Sequence, residues 1–256
     1  MVQEAGRRAR NRLERHRSFL EEAKGIVAAE GLEALTMARL AARLDCAVGT
    51  AYTYFPSKSA LVAEVQRDAI ETLTESYVLF RSRFDAHVAD TAPTAEVATI
   101  AHLVGFARFW IATLTAYPEE ARLLQVLMSD PGTDTIVDDD LGRVVPAAMR
   151  LLGHARDAFA DARAVSALSV GPDPGDQDME RTVVLAATLN GLLLLDRLAR
   201  VDPGLLDGHR LALATTVDLL RSWGAADATL AAAGLVVDEL AATGPLAPPL
   251  PRHREA

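Results

Sequence analysis

A chain of 256 residues, half of them hydrophobic, is long enough to bury a sizeable core in one large domain or two modest ones. Its net charge of −9 excludes a protein that coats nucleic acid over its whole surface. Its single cysteine, Cys46, excludes an internal disulfide and fits a reducing cytoplasm. The charge is uneven: residues 1–58 hold 10 Lys and Arg against 7 Asp and Glu, whereas residues 59–256 hold 16 against 28. A basic head on an acidic body suits contact with DNA at one end. The arginines at 7, 8, 10, 12, 15 and 17 suit a solvated helix face equally well.

In chain order, apolar residues recur at helical spacing and no long alternating pattern appears. The spacing predicts a first helix over 8–30, with an alternative start at the capping-box pair Ser18 and Glu21. Gly31 suits a left-handed C-terminal position. Thr36 is an N-cap for a helix over 37–44. A third helix ends at Phe55, because Pro56 disfavours helical geometry there. Ser57 caps a long fourth helix with the stripe Leu61, Val65, Ala69, Leu73, Tyr77, Phe80 and Phe84. Beyond Thr91-Ala92-Pro93, helices are predicted over 94–116, 118–129, 141–169, 177–201, 207–224 and 227–242. Turn chemistry at 130–132, 171–175 and 202–204 separates them. Pro146 is expected to bend or open its helix. The last residues, from 244 to 256, are Pro-rich and read as a disordered tail. The longest nearly apolar run, 183–195, contains Asn190 and is too short to span a bilayer, so no membrane is expected.

The segment Thr36–Phe55, followed by Pro56-Ser57-Lys58, has the layout of a helix-turn-helix, which lays one helix in the major groove of DNA. Leu40, Leu44, Cys46, Ala51 and Tyr54 fall where its helices must pack. Asp45 sits in the turn, where the backbone tends to be left-handed, a conformation Asp tolerates. Val48, Gly49, Thr50 and Thr53 are left facing outward, and all are small. They include no Arg, Asn or Gln for bidentate base reading. Specificity then rests on methyl contacts, backbone fit and the N-terminal arginines. Phe55 reads as core, and Cys46 as core filling rather than a redox sensor.

With its flanks, the segment closely resembles the N-terminal DNA-binding domain of the TetR family of transcriptional regulators. The matching residues are Gly31, Thr36, Leu40-Ala41, Gly49-Thr50, Tyr52 to Phe55 and Lys58, within about residues 18–65. The resemblance implies DNA contacts from Thr36, Val48, Gly49, Thr50, Tyr52, Thr53, Tyr54 and Lys58. It implies that Thr36 holds a phosphate at a helix N-terminus, that Tyr52 and Tyr54 reach phosphates or a base methyl, and that Lys58 pairs with a phosphate. Ala47 departs from the pattern: the family often has Ser there, capping the recognition helix.

A helix-turn-helix protein usually reads two half-sites as a dimer. The helices over 177–201 and 207–224 are the apolar candidates for pairing, through Leu189, Leu192, Leu195, Leu213, Val217 and Leu220. The alternative is burial in a monomer core. The resemblance implies the same pairing, a four-helix bundle. Phe106, Phe109, Trp110 and Tyr117 cluster in an aromatic-poor chain. With Phe80, His102, Met128, Met149 and Asn190 they could line a chamber for a small hydrophobic effector, or be ordinary core. The resemblance implies that the effector shifts the spacing of the recognition helices.

An enzyme is not expected. The six histidines show no metal-ligand spacing, and no nucleophile elbow or phosphate loop appears. No cofactor or metal is expected, and Asp138-Asp139-Asp140 reads as a solvated helix start. Glu119-Glu120 suits a first helical turn. The expected protein is all-α. A three-helix DNA-binding domain over 1–58 precedes a larger helical ligand-binding and dimerisation domain over 59–243. Such a protein is a cytoplasmic homodimer that binds an operator and releases it on binding an effector. The alternative is a helical scaffold or enzyme that has lost DNA binding.

Overall fold

The computed structural model describes residues 2–129, 138–171, 176–197, 199–202 and 204–250. Among them the regular secondary structure is all helical, with no strand. The helices are α1 (Val2–Glu30), α2 (Met37–Arg43), α3 (Val48–Tyr54), α4 (Lys58–Thr91), α5 (Ala95–Ala116), α6 (Pro118–Ser129), α7 (Asp138–Ala164), α8 (Gln177–Leu193), α9 (Gly208–Ser222) and α10 (Asp227–Ala242). They divide between two compact units. One holds Met1–Thr72 and Pro118–Ala148, the other Leu73–Tyr117 and Met149–Ala256. The division falls inside α4 and α7.

Side-chain caps set the helix starts. The Thr36 hydroxyl accepts from Arg39 N at 3.1 Å and Ser57 Oγ from Ala60 N at 2.9 Å. Thr94, Asp176 and Asp207 do the same for α5, α8 and α9. Three helices end in the paired bonds of a Schellman turn, with a left-handed residue at the corner. After α2 the corner is Asp45 (φ 47°), where Cys46 N donates to Ala41 O and Asp45 N to Ala42 O. After α7 it is Ser166 (φ 60°), and after α9 it is Gly224 (φ 108°). Gly31 has a positive φ of 88° as expected, but its ψ of 169° lies outside the left-handed helical region, in space that glycine alone enters readily.

Several expectations are corrected. α1 begins at Val2, and Ser18 lies in its middle with its hydroxyl donating back to Glu14 O at 3.0 Å, so the capping-box start is unused. α7 continues through Pro146 and stops at Ala164, five residues short of the predicted end, because the turn at Ser166 closes it. Pro146 and Gly142 are both exposed, so the carbonyl that loses its intrahelical donor faces solvent. α8 ends at Leu193 and tightens into a 3-10 turn over Leu194–Arg197. Asp140 is not solvated. It is buried, accepts from Ser59 Oγ at 2.6 Å and lies 3.5 Å from Arg143. Residues 244–250 are not a loose tail either: Leu246, Ala247 and Leu250 are buried. Residues 251–256 lie outside the described residues, as do the predicted turns at 130–132 and 172–175.

The core of the first unit gathers Phe19, Ala23 and Ile26 of α1, Leu40 of α2, Ala51 of α3, Phe55, and Leu61 and Val65 of α4. A buried lysine crosses it. Lys24 Nζ lies 2.5 Å from Asp68 Oδ2, 3.1 Å from Glu21 Oε1 and 3.7 Å from Glu120 Oε1. Burial alone would lower its pKa; the hydrogen bond and charge of Asp68, helped by Glu21 and Glu120, outweigh that and hold it above the usual lysine value. In the second unit α5 packs on α10 and α9, and α8 on α9. α5 is apolar and long enough by composition to cross a bilayer, yet 56% of its apolar window is buried within this fold.

Candidate nucleic-acid interface

α2 and α3 form the helix-turn-helix. Leu40, Ala41 and Ala51 are fully buried between them, and Leu44 and Cys46 pack on the same core. This arrangement turns one side of α3 inward and leaves the other free. Val48 is 41% exposed and Tyr52 51%. Gly49 and Thr53 are exposed, and Thr50 is half-buried. Thr53 donates its hydroxyl to Gly49 O at 3.0 Å, so its hydrogen is engaged within the helix. A Cβ at Gly49 would meet nothing within 4 Å inside the chain, so packing does not demand glycine there.

α3 is held from behind by rings. Phe55 lies 5.0 Å from His16 and 6.0 Å from Phe19. Tyr54 lies 5.1 Å from Phe19, with the Arg12 guanidinium 6.0 Å from its centroid. Phe55 is thus core, and the Tyr54 ring is half-buried against α1. Arg15 donates to the carbonyl of Leu44 at 3.2 Å, and Arg43 pairs with Glu22 at 2.7 Å. Part of the N-terminal basic run therefore braces α2 and the turn. Arg7 and Arg10 stay exposed. Lys58, half-buried, opens α4. The Thr36 hydroxyl is committed to capping α2; Thr36→Ala is expected to cost about 1 kcal/mol in urea unfolding, and an unchanged midpoint would contradict the cap. Ala47 gives α3 no side-chain cap.

The residues considered for an effector chamber lie on several helices. Tyr77, fully buried on α4, is the hub of the aromatic group. Around its ring stand Phe80 (5.6 Å), Phe106 (5.4 Å), Phe109 (5.2 Å), His102 (6.3 Å) and His154 (5.0 Å). Trp110 stacks on Phe106 at 6.2 Å. A Cβ on Gly105 would stand 2.9 Å from Phe80 Cζ, so the missing side chain admits that ring. Tyr77 Oη is 2.7 Å from His102 Nε2, and the Arg81 guanidinium lies 2.6 Å from Nδ1. A guanidinium donates and never accepts, so the imidazole must be neutral. Burial, then Arg81 and His154, push the His102 pKa down to about 3. Tyr77 is pushed up, chiefly by burial.

Tyr117 meets the C-terminal segment, donating its hydroxyl to Pro248 O and accepting from Leu250 N. Asn190 is buried and donates to Ala186 O at 2.8 Å. Met149 is 46% exposed. Met128 lies in α6, but its side chain is outside the described residues. Sequence reading missed the hub Tyr77 as a site residue, and missed Ser76 and Arg81; a buried Ser beside an apolar stripe was the available signal. Of the dimer candidates, Leu189 and Leu220 are fully buried within this chain. Leu192, Leu195 and Val217 are half-buried and Leu213 is 36% exposed. Val183 (50%) and Val184 (39%) of α8 are more exposed than any of the six.

Among the described residues no three His, Cys, Asp or Glu side chains come together as a metal site. Comparison with known proteins agrees with the helix-turn-helix. Residues 19–65 match the family model described as bacterial regulatory proteins, tetR family. No curated protein matches the chain. Two solved structures share the fold. One is SmeT, the repressor of the Stenotrophomonas maltophilia multidrug efflux pump SmeDEF, with TM-score 0.52, 19% identity, and coverage of 84% of this chain and 92% of that one. The other is native TylP, a TetR regulator from Streptomyces fradiae, with TM-score 0.50, 20% identity, and coverage of 88% and 96%.

Proposed function

We propose that the chain is a ligand-responsive transcriptional repressor, a reading supported by the match of residues 19–65 to the family model of bacterial regulatory proteins, tetR family. It binds a palindromic operator as a homodimer in the cytoplasm and releases it when a small hydrophobic effector is bound. It is a regulator rather than an enzyme. The observation that carries this reading is the division of α3. Ala51 and Phe55 are buried behind it, while Val48, Gly49, Tyr52 and Thr53 face out. That face is small and flat enough for the backbone to approach base edges, with Thr50 at its margin and Lys58 and the exposed N-terminal arginines as phosphate partners. Thr36 keeps its backbone amide for a phosphate while its hydroxyl caps α2.

Dimerisation is assigned to the outer faces of α8 and α9. Val183, Val184 and Leu213 join Leu192 and Val217 there, with Leu195 in the 3-10 turn that follows α8. Gly191 is exposed, and a Cβ at that position would meet nothing within 4 Å, which leaves room for a partner helix to approach.

The test is binding of the purified protein to a selected palindrome across a salt series, where log K falls linearly with log salt. Lys58→Ala is expected to weaken binding to all sequences and to reduce the salt slope by about one. Gly49→Ala separates DNA reading from folding. Nothing in the chain opposes the added methyl, so stability should hold or rise, by up to about 1 kcal/mol, while operator affinity falls. Unchanged affinity with Gly49→Ala would remove α3 from the interface. Failure to bind any palindrome at low salt would favour a helical scaffold.

A further inference from the structure

The last described residues of the chain pack into the second unit. After α10 the backbone turns at Gly244 (φ 154°), where a Cβ would lie 3.1 Å from the Arg83 guanidinium. Arg83 donates to Pro245 O and, at 3.0 Å, to Thr243 Oγ1. The chain then runs through 245–250 with neither helix nor strand. Leu246, Ala247 and Leu250 are buried, and so is Pro248. Two hydroxyls converge on the Pro248 carbonyl oxygen: Ser76 Oγ donates at 2.8 Å and Tyr117 Oη at 2.5 Å. Tyr117 Oη in turn accepts from Leu250 N at 3.1 Å. Both side chains are at most 1% exposed.

The chemistry of this contact is narrow. Pro248 and Pro249 carry no N–H, so the segment offers aliphatic surface, one carbonyl held by two donors, and one amide donor. Without the segment, the buried Ser76 and Tyr117 hydroxyls would lose their bonds to the Pro248 carbonyl, which another carbonyl oxygen would replace. We propose that Ser76 and Tyr117 form a carbonyl-binding site in which residues 245–250 are a built-in, displaceable occupant. The effector class is then a small apolar molecule bearing a ketone, ester, lactone or amide carbonyl, which binds by expelling the tail. The effector assignment rests on the ligand-responsive reading above; the groove and its displaceable occupant do not.

The test uses the full chain. A variant with Leu246→Asp and Leu250→Asp expels the tail, and a synthetic peptide covering residues 243–252 is the probe. The variant is expected to keep its helical circular dichroism and cooperative melt, and to bind the peptide at least about ten-fold tighter than the wild type, whose groove is filled. Adding Tyr117→Phe should weaken peptide binding about ten-fold through the lost donor. Hexyl methyl ketone should compete with the peptide and speed hydrogen exchange of the Leu250 amide in the wild type, whereas the alkyl chloride of the same length should not. Loss of cooperative folding in the double variant would make the tail part of the core and overturn the proposal. So would a folded variant that takes up the peptide no better than the wild type. Peptide binding without ketone competition would overturn the ligand class. Operator binding, measured separately on the wild type, tests the regulator reading and leaves the groove result standing.

Discussion

Replacing Lys24 with Met is expected to destabilise the first unit by about 3–5 kcal/mol, the largest single effect among substitutions outside the apolar core. The lysine side chain is 2% exposed, and its ammonium sits among Glu21, Asp68 and Glu120, on α1, α4 and α6. Methionine fills the volume but leaves the Asp68 and Glu120 carboxylates without their cation. The side chain of Glu120 is 5% exposed and that of Asp68 25%, so water restores little to the first. Urea unfolding measures the loss. Combining Lys24→Met with Asp68→Asn and Glu120→Gln should return most of it, because removing a whole buried charge set is close to neutral. A single variant within about 0.5 kcal/mol of wild type would rank the cluster with ordinary surface pairs. The raised pKa of Lys24 places its contribution below pH 10.5, fading only as pH rises beyond that.

Acid should loosen the second unit through His102. Its pKa is about 3 in the fold against 6.5 for an ordinary imidazole. The unfolded chain therefore binds the proton first, and stability is complete above pH 6.5 and declines as pH falls toward 3. The slope approaches about 1.4 kcal/mol per pH unit. Arg81, Asp85, Tyr77 and His154 are the ionisable groups around it. His154, also lowered by burial, adds to the slope. Thermal melts between about pH 6.5 and pH 5, where carboxylates stay mostly ionised, isolate the histidines. His102→Gln can still accept from Arg81 and donate to Tyr77 but does not titrate in this range, so its melting temperature should vary much less. An identical slope in wild type and variant would clear His102 of the effect.

The helix-turn-helix was legible because its signals are local. Thr36 and Ser57 announce helix starts, Pro56 announces a stop, and Asp45 marks a turn with the only side chain there suited to a positive φ. The inward spacing of Leu40, Ala51 and Phe55 then fixes which side of α3 faces out. What escaped sequence reading depends on contacts between distant residues. Nothing near Pro248 announces that Ser76 and Tyr117 will hold its carbonyl, so a Pro-rich end read as disorder. Leu189 and Leu220 have the same apolar character as Leu213, and only the packing of α8 on α9 decides which are covered. Asp140 read as solvated because its partner, Ser59, is 81 positions away.

The interleaving of the two units along the chain has a consequence during synthesis. Residues 1–72 belong with 118–148, and residues 73–117 belong with 149–256. Neither unit is complete when its first segment leaves the ribosome. At roughly 5–20 residues per second, Tyr117 waits on the order of ten seconds for Pro248 to be made. For that interval the nascent chain carries a half-built second unit whose Ser76 and Tyr117 hydroxyls lack the Pro248 carbonyl, and a product that terminates before residue 248 never gains it. The order of translation thus makes the packing of residues 245–250 a late step in folding the second unit, and copies truncated before them are the species that quality control would meet.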